Sequence, residues 1–81
     1  VLFHKYTIAV PYPTFEEEYK KMVAYIESIH TENQKIKLAV FADFDCLLIK
    51  IVCDETISNS IANYILGNHF TATKEIIFKE V

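Results

Sequence analysis

The sequence contains no arginine and no tryptophan, one glycine, two prolines and two cysteines among 81 residues. Each shortage excludes something. Lysine supplies all eight basic side chains against eleven Asp and Glu, giving a formal net charge of −3. Surfaces that grip nucleic acid are usually basic and rich in arginine, whose planar fork fits phosphates and guanine edges. By itself this chain is therefore a poor candidate for holding DNA or RNA. Phosphate-handling enzymes that depend on an arginine clamp are excluded on the same ground. So little Gly and Pro leaves no linker or low-complexity segment, and no internal repeat is present. Cys46 and Cys53 lie seven residues apart in one apolar run. That odd offset sends them to opposite faces of a strand, so a disulfide between them is implausible. Both read as reduced core thiols. No signal peptide and no apolar run of membrane-spanning length occurs, so a cytoplasmic protein with no membrane partner is expected.

What remains is apolar. Hydrophobic residues make up 52% of the chain, and residues 1–81 suffice for one domain with a single core. A domain this small buries only about 60% of the surface its unfolded chain exposes. Much apolar surface with few places to hide it favours an oligomer.

Hydrophobic periodicity orders the elements. Leu2 to Val10 alternates as a strand, with Leu2, His4, Tyr6, Ile8 and Val10 on one face. Pro11 and Pro13 end it. Thr14 followed by Glu17 fits a capping box, and Glu16, Glu17 and Glu18 suit the positive start of a helix. Phe15, Tyr19, Met22, Val23 and Ile26 keep helical spacing to about His30. A polar loop, Thr31 to Gln34, leads into a second strand, Lys35 to Ala42. The third strand, Cys46 to Cys53, is apolar on both faces apart from Lys50, as a central strand would be. Asp54, Glu55 and Thr56 supply N-cap chemistry for a second helix facing inward through Ile57, Ile61 and Ile65. Gly67 stands where a helix end favours a left-handed residue. Thr73 to Val81 reads as the last strand.

The order β-α-β-β-α-β implies an α+β, ferredoxin-like domain: a four-stranded antiparallel sheet with both helices on one face. The other face would then carry Phe41, Leu48, Val52 and either Ile77 or Phe78 without cover, and such a patch marks an interaction surface. We expect Phe41, Leu48 and Val52 to form an oligomer interface.

Chemistry is sparse. His4, His30, His69, Cys46 and Cys53 follow no metal-ligand spacing, so neither a metal nor another cofactor is expected. No nucleophile elbow or glycine-rich phosphate loop appears, and no catalytic residue is assigned. The one concentrated polar feature is Asp43-Phe44-Asp45, between the second and third strands. Aspartate is a natural turn residue, but two carboxylates at a strand junction can also meet a ligand's amino group or work as an acid/base pair.

The segment "FADFDCLLIKIVCDE", together with the closing "TKEIIFKEV", resembles the C-terminal effector (RAM) domain of the Lrp/AsnC transcriptional regulators. That domain has a turn of pattern Thr-Gly-Asp/Glu-Tyr/Phe-Asp followed by an apolar strand, and Asp43, Phe44 and Asp45 match its last three positions. The sequence departs from the pattern at Ala42, where the family has Gly. It departs again before the last strand, where the family's Thr pair falls on Ala72 and Lys74, with Thr71 and Thr73 one residue off. The resemblance implies a dimer formed through the sheets, further assembly to octamers, and a small effector such as an amino acid bound between subunits. It implies DNA contact only through an N-terminal helix-turn-helix segment absent from these residues. The ligand residues so implied are Ala42, Asp43, Phe44, Asp45, Thr71 and Thr73. A small enzyme using the Asp43/Asp45 pair, and a module docking another protein on its open sheet face, are the competing expectations.

Overall fold

The computed structural model describes residues 2–77. Four strands, β1 (Phe3–Pro11), β2 (Ile36–Ala42), β3 (Cys46–Asp54) and β4 (Thr71–Ile77), alternate with two helices, α1 (Tyr12–Ile29) and α2 (Glu55–Gly67). The strands lie in the order β2-β3-β1-β4, every neighbouring pair antiparallel. This is the ferredoxin-like α+β arrangement, with β1 and β3 central, where the apolar runs of Ile49, Ile51 and Cys53 predict a covered strand.

Register fixes the faces. Tyr6 lies opposite Ile51 and Ile8 opposite Ile49, and these pairs form the core with Val10, Met22 and Ile26 of α1, and Ile57, Ile61 and Ile65 of α2. Ile8, Val10 and Ile49 are wholly buried. The α2 stripe at i, i+4, i+8 thus faces inward as its spacing predicts.

The start of α1 differs from expectation. The helix begins at Tyr12, immediately after Pro11, and has no side-chain cap. Pro13 is tolerated in the first turn because its missing N–H is one that no helix start can satisfy internally. Thr14 is therefore inside the helix, its hydroxyl donating to the Pro11 carbonyl at 3.5 Å, and the Thr14/Glu17 capping box does not form. The glutamates lie past the first turn, where Glu16 and Glu17 pair with Lys20 and Lys21 at 3.4 and 4.0 Å. At α2 the expectation holds: Asp54 is the N-cap and accepts from the Thr56 N–H.

The end of α2 differs too. Gly67 has no positive φ; the left-handed residue is His69, at φ 57°. A Cβ at Gly67 would meet nothing within 4 Å. Gly67→Ala should therefore stabilise the domain by about 0.5 kcal/mol, chiefly by narrowing the unfolded ensemble. Chemical denaturation would show it as a higher midpoint at unchanged slope, and a lower midpoint would refute it.

The fourth strand starts at Thr71, two residues before the expected Thr73. Its expected continuation from Phe78 to Val81 falls outside the described residues.

Candidate functional site

Both helices pack on one side of the sheet, and among the described residues no further element covers the other. Three rows of side chains cross that open face: Lys37–Val52–Lys5, Ala39–Lys50–Thr7 and Phe41–Leu48–Ala9. The structure thus brings Phe41, Leu48 and Val52 together on the uncovered face, with Ile77 beyond Phe3 at its far end. It also interleaves them with three lysines, Lys5, Lys37 and Lys50, which were not among the expected site residues. Lys5 pairs with Glu75 of β4 at 3.7 Å, and the Lys50 ammonium lies over the Phe41 ring, 4.6 Å from its centroid. Period-two parity places these lysines on the same face as Leu48 and Val52. Strand alternation carries that signal, but which strands lie side by side is set by register.

The Asp43–Asp45 turn sits at the end of this face. The Asp43 N–H donates to the Cys46 carbonyl at 3.0 Å, and Tyr12 Oη donates to the Asp43 carbonyl at 2.9 Å, pinning the turn to the first turn of α1. Tyr12 was not among the expected site residues, because its contact spans 31 positions. The Cys46 thiol approaches Asp43 Oδ2 at 3.9 Å. Local desolvation raises the Cys46 pKa, and the negative charges of Asp43 and Asp45 push it the same way. Cys46 is half-buried on the open face, so it is not the core thiol expected from sequence. Cys53 is one: burial, then the charge of Asp54, pushes its pKa up to about 11, leaving an inert neutral thiol.

Two expected ligand residues, Asp45 and Thr71, do meet. With Ala9, Pro11 and Cys46 they line a shallow concavity of about 350 Å³, within the size range of small-ligand sites. Thr71 pairs with Ala9 and Cys46 with Pro11, so the register brings the two segments side by side. The other expected residues lie apart. Ala42 is exposed on the edge strand β2, Phe44 is fully exposed at the turn tip, and Asp43 is exposed beside Cys46. Thr73 lies opposite Thr7, one row removed from Thr71. A second concavity of about 420 Å³ lies further along the open face, lined among others by Lys5, Lys37, Lys50, Phe41 and Val52. The open face is therefore acidic at its turn end and cationic over its middle.

Between β1 and α2 lies a separate polar cluster. Ser58 Oγ joins His4 Nδ1 and, at 2.7 Å, Tyr6 Oη. Ser58 and Tyr6 are buried among core residues, so the cluster ties β1 to α2. Among the described residues no group of three or more His, Cys, Asp or Glu could hold a metal ion, and no helix is long and apolar enough to cross a membrane.

No family model matches the sequence, and no curated protein matches it. Among solved structures, the de novo designed protein Foldit4 is similar over 98% of both chains, with a TM-score of 0.71 and 8% sequence identity. At that identity the likeness speaks for architecture alone: this chain folds as a ferredoxin-like α+β domain.

Proposed function

We propose that the chain is a non-catalytic, self-associating domain that binds a small zwitterion such as an amino acid on its open sheet face. This is the effector-sensing role carried by the Lrp/AsnC domains that the sequence resembles. The observation that carries the reading is the polarity of the face. Asp45 lines the concavity at the turn end, and the Lys50 ammonium lies over Phe41 of β2, on the same face but across β3. The concavity lies on the β1–β4 side of the face and Phe41 on β2, two strand spacings or about 10 Å across, and the long, flexible lysine stem bridges part of that span. Lys50 is the cation we assign to the ligand's carboxylate, in place of an arginine. The Thr71 hydroxyl, lining the same concavity as Asp45, offers a further polar contact.

The test is calorimetric or NMR titration of the chain with the common amino acids. Asp45→Asn and Lys50→Met should each weaken binding by about ten- to a hundredfold, the loss of one charge-assisted hydrogen bond. Both positions are surface ones, so the circular dichroism spectrum should not change. Absence of any heat or shift perturbation at millimolar amino acid would refute the reading. So would binding that both variants leave intact.

A further inference from the structure

The second feature concerns the rim of the sheet. In β2 the pairing with β3 alternates, and two hydrogen bonds fix its phase: Asp43 N–H to Cys46 carbonyl and Asp54 N–H to Lys35 carbonyl, each 3.0 Å. Odd-numbered residues of β2 therefore bond inward to β3. Ile36, Leu38, Val40 and Ala42 turn their N–H and C=O groups outward. Among the described residues nothing pairs with them, since β2 is the end of the sheet.

The side chains around that edge do little to protect it. Natural edge strands are blunted by charge, proline, bulges or short length. The other edge, β4, carries the adjacent exposed pair Lys74 and Glu75. By contrast, β2 reads Ile-Lys-Leu-Ala-Val-Phe-Ala over seven residues, with Lys37 its one charge. Val40 is 40% exposed on the helix side and Phe41 47% exposed on the open side, so apolar surface flanks the free backbone on both faces.

We propose that two copies of this chain join β2 to β2 in antiparallel fashion about a two-fold axis at Ala39, forming one continuous eight-stranded sheet. This proposal does not depend on a ligand in the concavity. That centre pairs all seven residues and sets every outward-facing residue against another: Ile36 against Ala42, Leu38 against Val40. The same parity keeps both helix layers on one side of the joined sheet. It also leaves no like charges opposed. Lys37 lies opposite the partner's Phe41, and Asp43 opposite the partner's Lys35. A face-to-face pair of sheets would instead enclose Lys5, Lys37 and Lys50 from both copies, charges that are costly to desolvate together. Because the contact is the same strand on both sides it closes on itself, and the charged β4 edge does not propagate a fibre.

Val40→Pro separates the possibilities. Among the described residues nothing accepts from the Val40 N–H, so proline there removes an outward donor and a tolerated edge position receives it. Sedimentation should find a wild-type dimer at high micromolar concentration and a Val40→Pro monomer with an unchanged circular dichroism spectrum. Val40→Lys, which adds only an exposed charge, should behave alike and covers a proline variant that fails to fold. Leu48→Glu, on the open face, should leave the dimer intact. Amide exchange at Ile36, Leu38, Val40 and Ala42 should slow by at least about tenfold between dilute and concentrated wild type. A wild-type monomer at all concentrations would overturn the proposal, as would a dimer that Leu48→Glu dissolves and Val40→Lys does not. Neither result bears on whether Asp45 and Lys50 hold a zwitterion, which is read by titration of the monomer.

Discussion

Asp54→Ala is expected to cost about 2–4 kcal/mol at neutral pH, a large share of the roughly 5 kcal/mol available to a domain this small. Asp54 is 6% exposed and joins three segments. Its Oδ1 accepts from the Thr56 N–H at 3.0 Å and from the Thr56 hydroxyl, capping α2. Its Oδ2 accepts from the Lys35 N–H at 2.6 Å, holding the loop that leads into β2. Loss of an N-cap costs about 1–2 kcal/mol. A backbone donor left without its partner adds about 1–3 kcal/mol, less where water can enter.

The cost of Asp54→Ala should depend on pH. Burial acts to raise the Asp54 pKa, but hydrogen bonds from Thr56, and from the backbone of Lys35 and Ile57, outweigh it and hold the pKa below its ordinary value. A depressed folded-state pKa contributes stability that is complete above the unfolded value, about 3.9, and is lost as pH falls through the folded one. The gap between wild type and Asp54→Ala should therefore be widest near pH 7 and narrow toward pH 3. Urea melts at the two pH values measure it. Asp54→Asn, which keeps a capping oxygen without the charge, should lose less at pH 7 and show a flatter acid limb. Equal gaps at both pH values would mean that the carboxylate's charge contributes nothing.

Asp54 was legible in the sequence because a cap acts on its own neighbours: Asp followed by Glu-Thr and an apolar stripe needs no distant partner to be recognised. The same holds for Ile57, Ile61 and Ile65, whose spacing is set by the helix itself, and for the doubly apolar β3. The misjudged boundaries arise where two local preferences compete. Thr14 has capping chemistry, yet Pro13 is equally at home one residue earlier in a first turn. Packing of Phe15 and Tyr19 against the core goes with a helix that starts as soon as β1 ends. At the other end Gly67 offers the cheapest left-handed residue, but the chain keeps it helical and turns at His69. Of the expected ligand residues, Asp45 and Thr71 meet because register, not proximity in sequence, aligns the starts of β3 and β4 through β1. Register also decides that Thr73 and Phe44 lie elsewhere. Lys50 was read only as an interruption of an apolar strand, because its place over the Phe41 ring depends on the β2–β3 register.

The His4–Ser58–Tyr6 cluster was beyond reach of the sequence altogether, since its members stand 52 and 54 positions apart. It leads to the second large effect. Ser58→Ala should cost about 1–3 kcal/mol, although it removes a single oxygen and opens almost no space. The loss leaves the buried Tyr6 hydroxyl with only the Ser58 carbonyl, at 3.3 Å, and takes the partner of His4 Nδ1 away. Tyr6→Phe should cost less by itself, because Ser58 Oγ then keeps His4. The informative variant is the double one. Once Tyr6 no longer carries a hydroxyl, removing Ser58 Oγ strands only the histidine, so the two losses should fall short of their sum by about 0.5–2 kcal/mol. Thermal or urea melts of the four proteins close the cycle. Strict additivity would show that the three side chains share a location without sharing a network.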